Sequence, residues 1–487
     1  MRSHTSKQHG FLAVLVLIFG AVFFLMLVAF MGFVINQSQV QEMKKHEEQA
    51  LAIAEAGLSY YKWYLAHNPN DLTNGTGEEG PYIKEYEDSE GDVVGEYSLS
   101  VSGTNLCGDI TSIEIESTGI VDGEPDSTRT VYARYMRPTV AEYAYIINAN
   151  VWAGPDRTII GPYHSNGVIR MDGTNNSIVS SGQEDWECDG SIPCDPDDEG
   201  DIVDAVYGDG TGSDLWVFPQ PPISFTGITV DLATMQDKAQ NGGGLYIAPS
   251  GHYGYRVRFN SDGTVSLFDV DSTYNYYGYT TEGGWQYERH VIEDDDPVGT
   301  YDIPDDCAVL FVEDKVWLEG TVNGRVTIVA ADLDSTGVNP SIILNDNITY
   351  ANEDSGLLAV AENDVLLGLV VPDDMTVNGI FVAQNGRFGR NHYAANRLPS
   401  ECVEWFWFWC VNYDTLFEEY IYRDTLTVNG TIVSNGRVGS KWSSGGTFIS
   451  GFDTRYNSYD RDLVSNPPPL TPDTSDSYEF IEWREVE

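Results

Sequence analysis

The feature that most constrains this chain is an uncharged apolar run from Phe11 to Ile35. Its 25 residues exceed the roughly 20 that a helix needs to cross the hydrocarbon core of a bilayer. No small-residue cleavage site follows the run, and no second run of comparable length occurs. Because Arg2 and Lys7 precede it, we expect a cytoplasmic N-terminus and export of everything after Asn36. The sequence therefore predicts a single-pass membrane protein with most of its mass outside.

The helical pattern continues beyond the apolar run. Small and apolar residues recur in steps of three and four, at Leu51, Ala54, Leu58, Tyr61 and Leu65. The sequence Asn-Pro-Asn at 68–70 is a helix-terminating signal. We therefore predict one helix over residues 11–67, with its transmembrane part at 11–35 and an apolar stripe along its outer half.

Residues 71–137 predict a small antiparallel meander. After a Gly- and acid-rich loop over 71–92, apolar and polar residues alternate at 96–102, 112–117 and 128–134. Alternation of this kind is typical of strands with one buried face. The helical stripe of Leu51, Leu58 and Tyr61 is the nearest cover for that face. The first part of the chain is therefore expected to be α+β.

The N-terminal region resembles that of type IV pilins and pseudopilins. A short leader over 1–10 with basic residues precedes Gly10-Phe11 and the apolar run, and EEQALAIAEAGLSYYKWYL at Glu47–Leu65 is similar to PilX-type minor pilins. The resemblance implies peptidase cleavage between Gly10 and Phe11, and assembly with other pilin or pseudopilin subunits. Major pilins carry Glu at the fifth mature position, where this chain has Leu15. A permanent, uncleaved anchor is therefore the alternative.

The outer region is predicted to be all-β. The pattern TVNG, a short apolar run and NGR-x-G occurs at 376–389 and again at 427–439, with a partial copy from Thr321. Repeats of this kind favour a β-solenoid, or parallel β-helix, and a β-sandwich with Asn-Gly hairpins is the alternative. We expect a first lobe at 139–217, a hinge at Phe218–Pro222, a solenoid-like domain at 223–465 without a long helix, and an exposed tail at 466–487.

Six cysteines in an exported chain favour disulfides. Closeness in sequence suggests the pairs Cys188–Cys194 and Cys402–Cys410, which leaves Cys107–Cys307 as the long link. CxxC spacing and histidine pairs are absent from the sequence, so a zinc site is not expected.

An acidic segment is the best candidate for a cation. Asp195, Asp197, Glu199 and Asp204 lie around Gly200, as in the first part of a calcium loop. The twelfth position of the pattern is Val206 instead of Glu, and a chance match in so acidic a chain is the alternative. Calcium is the one cofactor considered, and no other is expected.

The aromatic sequence WFWFW lies between Cys402 and Cys410. In an extended strand, Trp405, Trp407 and Trp409 would share one face, opposite two phenylalanines. Such faces are either buried in the fold or a subunit contact, or bind sugars and proteins. These tryptophans are therefore candidates for binding or assembly.

Net charge and the absence of catalytic motifs weigh against two classes of function, nucleic-acid binding and catalysis. The chain has 26 Lys and Arg against 75 Asp and Glu, a net charge of −49, which weighs against nucleic acid as a partner. GxSxG, HExxH and phosphate-loop patterns are absent, so we do not expect an enzyme. A polysaccharide-active β-helix enzyme is the rival, although so negative a surface would repel uronate polymers without bridging calcium.

Two functions remain from the sequence. The first is a minor pilin-like subunit that displays a β-rich domain on a pilus or on the cell surface. The second is a membrane-anchored adhesin or carbohydrate-binding protein that contacts a surface glycan or protein.

Overall fold

The computed structural model describes residues 9–68, 71–194, 199–225, 231–333, 337 and 339–486. The chain divides into two compact units. The first contains the residues up to Gly103, the segment Ile113–Tyr135 and the end of the chain from Glu482. The second contains Thr104–Ser112 and Met136–Ile481.

A single long helix, His9–His67, begins the first unit. Among the described residues it is the one helix long and apolar enough to cross a membrane. The side chains of its apolar run face outward, with Phe11 at 75% and Phe30 at 65% exposure. The long N-terminal apolar helix predicted from the sequence is therefore present.

The outer half of this helix packs on a sheet. The predicted stripe is buried at Ala54, Leu58, Tyr61 and Leu65, whereas Leu51 is half-buried. Ala50 and Ile53 are also buried, which widens the stripe beyond the prediction. Glycine permits the close approach of helix and sheet, because a Cβ on Gly119 would lie 2.0 Å from the Ala50 carbonyl oxygen. The helix thus supplies the cover that the meander needs.

The sheet of the first unit has five strands, whose order across the sheet is the same as their order along the chain. They are Tyr82–Glu87, Val93–Leu106, Asp109–Val121, Glu124–Met136 and Glu479–Val486. The first strand pairs with the second, and the third with the fourth, in antiparallel fashion, as predicted.

Two expectations about this sheet are wrong. The segment 71–92 was expected to be a loop, but Tyr82–Glu87 forms an edge strand whose alternation is masked by its charged residues. The tail at 466–487 was expected to be an exposed extension, but Glu479–Val486 is the fifth strand. Pro468 and Pro469 are also buried, so the proline run packs instead of projecting.

The second unit is β-rich, as predicted. Within the described residues, 21 strands belong to one hydrogen-bonded sheet. They are Tyr145–Ile147, Arg157–Ile160, Tyr163–Ser165, Thr174–Asn175, Val179–Ser181, Trp216–Val217, Leu245–Ile247, Tyr255–Phe259, Thr264–Thr280, Gly284–Asp302, Val309–Val312, Val316–Val322, Arg325–Ala330, Ile342–Tyr350, Gly356–Ala361, Val365–Leu367, Asp374–Ala383, Phe388–Gly389, Tyr422–Ser434, Lys441–Ser444 and Thr447–Ser458.

Smaller elements surround this sheet. A three-stranded sheet contains Val151–Ala153, Ile169–Met171 and Val206–Tyr207. One two-stranded sheet pairs Asp185–Glu187 with Ile202–Asp204, and another pairs Ser400–Phe406 with Trp409–Thr415. In the described part of this unit, helices lie at Leu232–Asn241 and Arg461–Ser465, and 3-10 turns lie at Val140–Glu142, Ser213–Leu215, Ala395–Arg397 and Glu418–Tyr420.

The repeated TVNG segments pair in register. Asp374–Ala383 lies parallel to Thr425–Ser434, so that Val377 pairs with Val428 and Gly379 with Gly430. Both glycines lie inside the strands. Gly430 has φ of 135°, and a Cβ there would lie 2.0 Å from the Gly379 carbonyl oxygen. Glycine therefore permits the close approach of two neighbouring strands.

The expected hinge at Phe218–Pro222 does not divide the second unit. Strand Tyr145–Ile147 of the expected first lobe pairs in parallel with the C-terminal strand Tyr422–Ser434. A helix that the sequence did not predict follows, Leu232–Asn241, which begins with Asp231 as its N-cap and buries Met235. It was missed because ten residues give only a short periodic pattern.

All six cysteines form disulfides. The pairs are Cys107–Cys307, Cys188–Cys194 and Cys402–Cys410, which are the three favoured by the sequence. The long link closes a separation of 200 residues within the second unit.

Candidate binding surfaces of the second unit

The WFWFW sequence is the tip of an antiparallel hairpin. We call Ser400–Thr415 the aromatic hairpin: its two strands are joined at Trp407-Phe408, and the Cys402–Cys410 disulfide links them. The prediction of one extended strand with three tryptophans on a face is wrong, because Trp407 has φ of 60° and the chain reverses there. Trp405 instead pairs with Cys410 on the opposite strand.

The aromatic side chains of this hairpin are exposed. Trp407 is 84% exposed, and the exposures of its four aromatic neighbours lie between 63% and 71%, at Trp405, Phe406, Phe408 and Trp409. The fold of the single chain therefore does not bury these side chains, and a subunit contact or ligand binding stays a prediction. Five contiguous aromatic side chains on a cross-linked hairpin form an apolar contact surface of the kind that marks interaction sites.

A second surface is a groove lined by cations. We call it the cationic groove: it has a volume of about 290 Å³ and contains Trp152, Arg387, Arg437, Lys441, Trp442 and Arg455. The first two of these arginines are the arginines of the two NGR-x-G repeats. The repeats bring their turns together, because the Gly436 amide donates to the Gly386 carbonyl oxygen at 2.8 Å.

Ion pairs order one side of this groove. Asp156 accepts from Arg455 Nη2 at 2.8 Å and from Lys441 Nζ at 3.3 Å, and Lys441 also reaches Asp453 at 2.7 Å. Burial lowers the pKa of Arg455, whose side chain lies close to a second buried cation, Arg157. The groove wall is thus rigid and retains an excess of positive charge.

A third surface adjoins the second. We call it the polar groove: it has a volume of about 520 Å³ and also includes Arg387. Side-chain amides line much of it, at Gln286, Asn339, Asn385, Asn391 and Asn435. Amides both donate and accept hydrogen bonds, which suits hydroxyl-rich ligands.

Glu288 and Asn391 line the polar groove, and buried polar side chains that do not line it lie next to them. Glu288 accepts hydrogen bonds from Asn391 and from the Tyr393 hydroxyl, the latter at 3.3 Å. Arg390 is fully buried and donates to the carbonyl oxygens of Leu369 and Tyr420, at 3.0 and 2.6 Å. Burial lowers the pKa of Arg390 to about 10 and raises that of Tyr393. These bonds fix the side chains of Glu288 and Arg390 in one arrangement.

The calcium site stays a prediction, because two of its four expected ligands lie outside the described residues. Asp195 and Asp197 lie outside the described residues, Glu199 lies in a turn and Asp204 in a short strand. A different cluster, unpredicted, contains His252, whose Nδ1 lies 3.0 Å from Asp269 and 3.1 Å from Asp271. These three side chains have the spacing of metal ligands.

The expected peptidase site lies at the start of the long helix. Gly10 is within helix His9–His67, and Phe11 is exposed. The Gly10–Phe11 peptide bond therefore lies near the N-terminal end of the described helix.

The cationic and polar grooves were missed by sequence reasoning. Their signal was present in the repeats, since NGR occurs twice at matched positions. Stacked repeats place equivalent residues side by side, so a repeated arginine in a chain with few cations indicates a local positive site.

Comparison with known proteins gives little guidance. No family model matches the chain, and no curated protein matches it. The competence-associated pilin ComZ from Thermus thermophilus is a similar solved structure, at 13% identity and a TM-score of 0.29, over 90% of this chain and 97% of that one. At that TM-score, the likeness carries no argument about the fold or function of this chain.

Proposed function

We propose that the protein is a membrane-anchored, exported minor pilin-like subunit that displays its β-rich second unit at the cell surface. One observation carries the proposal. A single helix, His9–His67, is apolar and outward-facing in its first half and buried on a sheet in its second half. The same element can thus lie in the bilayer and hold an exported unit.

The resemblance of Glu47–Leu65 to PilX-type minor pilins supports the pilin-like part of the proposal. The Gly10–Phe11 bond, at which that resemblance implies cleavage, lies within the described helix His9–His67. Assembly with other pilin or pseudopilin subunits follows if the leader is removed, because the exposed apolar half of the helix then becomes an assembly surface.

N-terminal sequencing of the native protein from its own membranes tests this proposal. We expect the mature chain to begin at Phe11, and we expect a Gly10→Val variant to keep its leader, since the peptidase cuts after glycine. A Gly20→Val variant is the matched control, because nothing lies within 4 Å of a Cβ at that glycine, and it should be processed normally. A native chain that begins before Phe11 would leave a permanent anchor.

We further propose that residues 145–458 form a parallel β-solenoid. Support comes from successive parallel pairs, in which Val309–Val312, Arg325–Ala330, Gly356–Ala361 and Asp374–Ala383 follow one another in register. Side chains of equivalent positions then stack in a continuous core, as in repeat architectures.

A second candidate function is adhesion through the aromatic hairpin. The exposed tip favours it, because aromatic anchors dominate the energetics of many interfaces. We propose that the tip contacts an apolar protein or glycan surface. The Cys402–Cys410 disulfide reduces the entropy that the hairpin loses on binding.

Cell attachment to a glycan or protein array tests the adhesive role. Replacing Trp407 by Ala should weaken attachment at least tenfold, a typical hot-spot loss of about 1.4 kcal/mol or more. Trp483→Ala is the matched control, because Trp483 is also exposed but lies on the sheet of the first unit. Equal attachment by the native protein and both variants would contradict adhesion through the hairpin.

We also propose that the protein binds without catalysis. The three acidic side chains that line the polar groove all accept hydrogen bonds, and Glu282 accepts from the Thr281 hydroxyl at 2.6 Å. Glu288 accepts from Asn391 and Tyr393, and Asp364 accepts from the Arg387 amide at 2.8 Å. Such bonds support a structural role for these carboxylates.

A further inference from the structure

We propose that the cationic groove and the adjoining polar groove together bind an acidic oligosaccharide, with a uronate carboxylate between Arg387 and Arg437. This inference goes beyond surface display, which does not depend on either groove. It also concerns a site separate from the aromatic hairpin, so the two can succeed or fail independently.

Charge is the first feature that favours such a ligand. The chain has only 26 cationic residues against 75 acidic ones, yet four cations line the cationic groove. Asp156 is the acidic residue among the described side chains that line it, and it is already paired with Arg455 and Lys441. The cationic groove is therefore a local positive site within a negative field, which favours an anionic group at this position.

The two repeat arginines are the second feature. Arg387 donates to the Asn391 side-chain oxygen, and Arg437 donates to the Ser191 carbonyl oxygen at 3.0 Å. Within the described part of the chain neither forms an ion pair, although Glu282 interacts electrostatically with Arg437. Both arginines line the cationic groove, where their guanidinium groups can donate charge-assisted hydrogen bonds to a carboxylate.

The aromatic wall is the third feature. Trp442 is held in place, since its Nε1 donates to the Arg390 carbonyl oxygen at 2.8 Å and its ring packs on Tyr279 at 5.7 Å. Trp152 is fixed by a bond from its Nε1 to Asp172 at 2.7 Å, and its residue is 39% exposed. With both indole donors engaged, the rings offer their apolar faces, on which a sugar ring can stack.

Size and polarity are the fourth feature. The grooves have volumes of about 290 and 520 Å³ and share Arg387, so together they fall within the range of ligand sites, about 300–1,000 Å³. The amides of the polar groove suit the hydroxyls of further sugar units. A nucleic acid fits less well, because its affinity comes from many phosphate contacts along a basic surface.

Calorimetric titration of the full chain in detergent tests the proposal. The probes are tetramers of galacturonate, mannuronate and glucuronate, each compared with its methyl-esterified form. We expect at least one acidic tetramer to bind at least tenfold more tightly than its ester. The affinity should fall as salt is raised, and no new reducing ends should form.

Three variants locate the site. Arg387→Gln with Arg437→Gln should weaken binding at least tenfold, and so should Trp152→Ala, a substitution at a residue that is 39% exposed, with an unchanged circular dichroism spectrum as the check on folding. Arg461→Gln is the control, because Arg461 is an exposed arginine that lines neither groove. Binding to none of the tetramers, or binding unchanged in the groove variants, would overturn the proposal. Equal affinity for a thymidine oligonucleotide, lost in the same variants, would overturn the sugar assignment.

Discussion

At the scale of single residues, Asp71 fixes the turn that follows the long helix. It accepts from the Thr73 hydroxyl at 2.6 Å and the Thr73 amide at 2.7 Å, and also from the Tyr64 hydroxyl and the Gly75 amide. These bonds, above all that from the Thr73 hydroxyl, lower the pKa of Asp71 to about 2. The bond to Asp71 in turn raises the pKa of Tyr64 to about 12.

We predict a pH-dependent cost of replacing Asp71 by Asn. Because the folded pKa is depressed from 3.8 to about 2, the carboxylate contributes stability above pH 3.8 that is lost as the pH falls toward 2. The melting temperature of the native protein should exceed that of the variant at neutral pH, and the difference should shrink below pH 3.8 and vanish below pH 2. Circular dichroism of the helix measures both.

A nearby substitution controls for general acid effects. Glu79→Gln removes an exposed charge from the same loop, and it should lower the melting temperature little at any pH. A difference between native protein and the Asp71 variant that stays constant down to pH 2 would contradict the role given to Asp71.

For several single residues the sequence identified the side chain but not its geometry. The tryptophans of the aromatic hairpin were found, but their geometry was not, because no Gly or Asn marks the turn at Trp407. The eight-residue spacing of Cys402 and Cys410 was the available signal, since a disulfide that closes so short a segment requires the chain to reverse. Arg387 and Arg437 were visible as parts of a repeat, whereas their chemistry depends on the pairing of distant strands.

At the scale of elements, register is the main property of the second unit. The strands Asp374–Ala383 and Thr425–Ser434 are 51 residues apart in sequence and pair with equivalent residues opposite each other. Asn429 donates to the Asn378 side-chain oxygen at 2.9 Å, so the asparagines of the two TVNG segments also stack. An Asn ladder of this kind opposes a slip in register, because any shift would separate the two amides.

We predict that cysteines at Thr376 and Thr427 form a disulfide. These half-buried residues pair directly, and neighbouring strands hold paired Cα atoms within the distance that a disulfide spans, about 4.4–6.8 Å. Mass spectrometry of the oxidised double variant detects the cross-link.

A shifted pair provides the control for this cross-link. Thr376→Cys with Thr425→Cys places the second cysteine two residues away along the same strand, on the same face, where the distance is too long. Cross-linking of the shifted pair in preference to the direct pair would contradict the parallel register, and with it the solenoid.

Elements defined by local patterns could be predicted from the sequence, whereas strand pairings between distant segments could not. The apolar run, the helical stripe and the strand alternation are local patterns, so they could be read directly. The strand Glu479–Val486 could not, because its partner Glu124–Met136 is more than 340 residues earlier. The pairing of Tyr145–Ile147 with Tyr422–Ser434 was missed for the same reason.

At the scale of the whole molecule, the two units differ in composition as well as in fold. The first carries the apolar helix, and the second carries the exposed aromatic and cationic surfaces. A net charge of −49 makes copies of the chain repel one another and favours close contact at local sites that are positively charged or apolar. The aromatic hairpin and the cationic groove are two such sites.

The proposed function depends above all on one helix that anchors the chain while the second unit lies outside the membrane. The most direct test inserts an epitope at Gly445-Gly446, an open turn with nothing within 4 Å, and stains cells or spheroplasts with an impermeant antibody. We predict staining without permeabilisation, and loss of membrane attachment when residues 1–35 are deleted. Staining that requires permeabilisation of the inner membrane would contradict this topology.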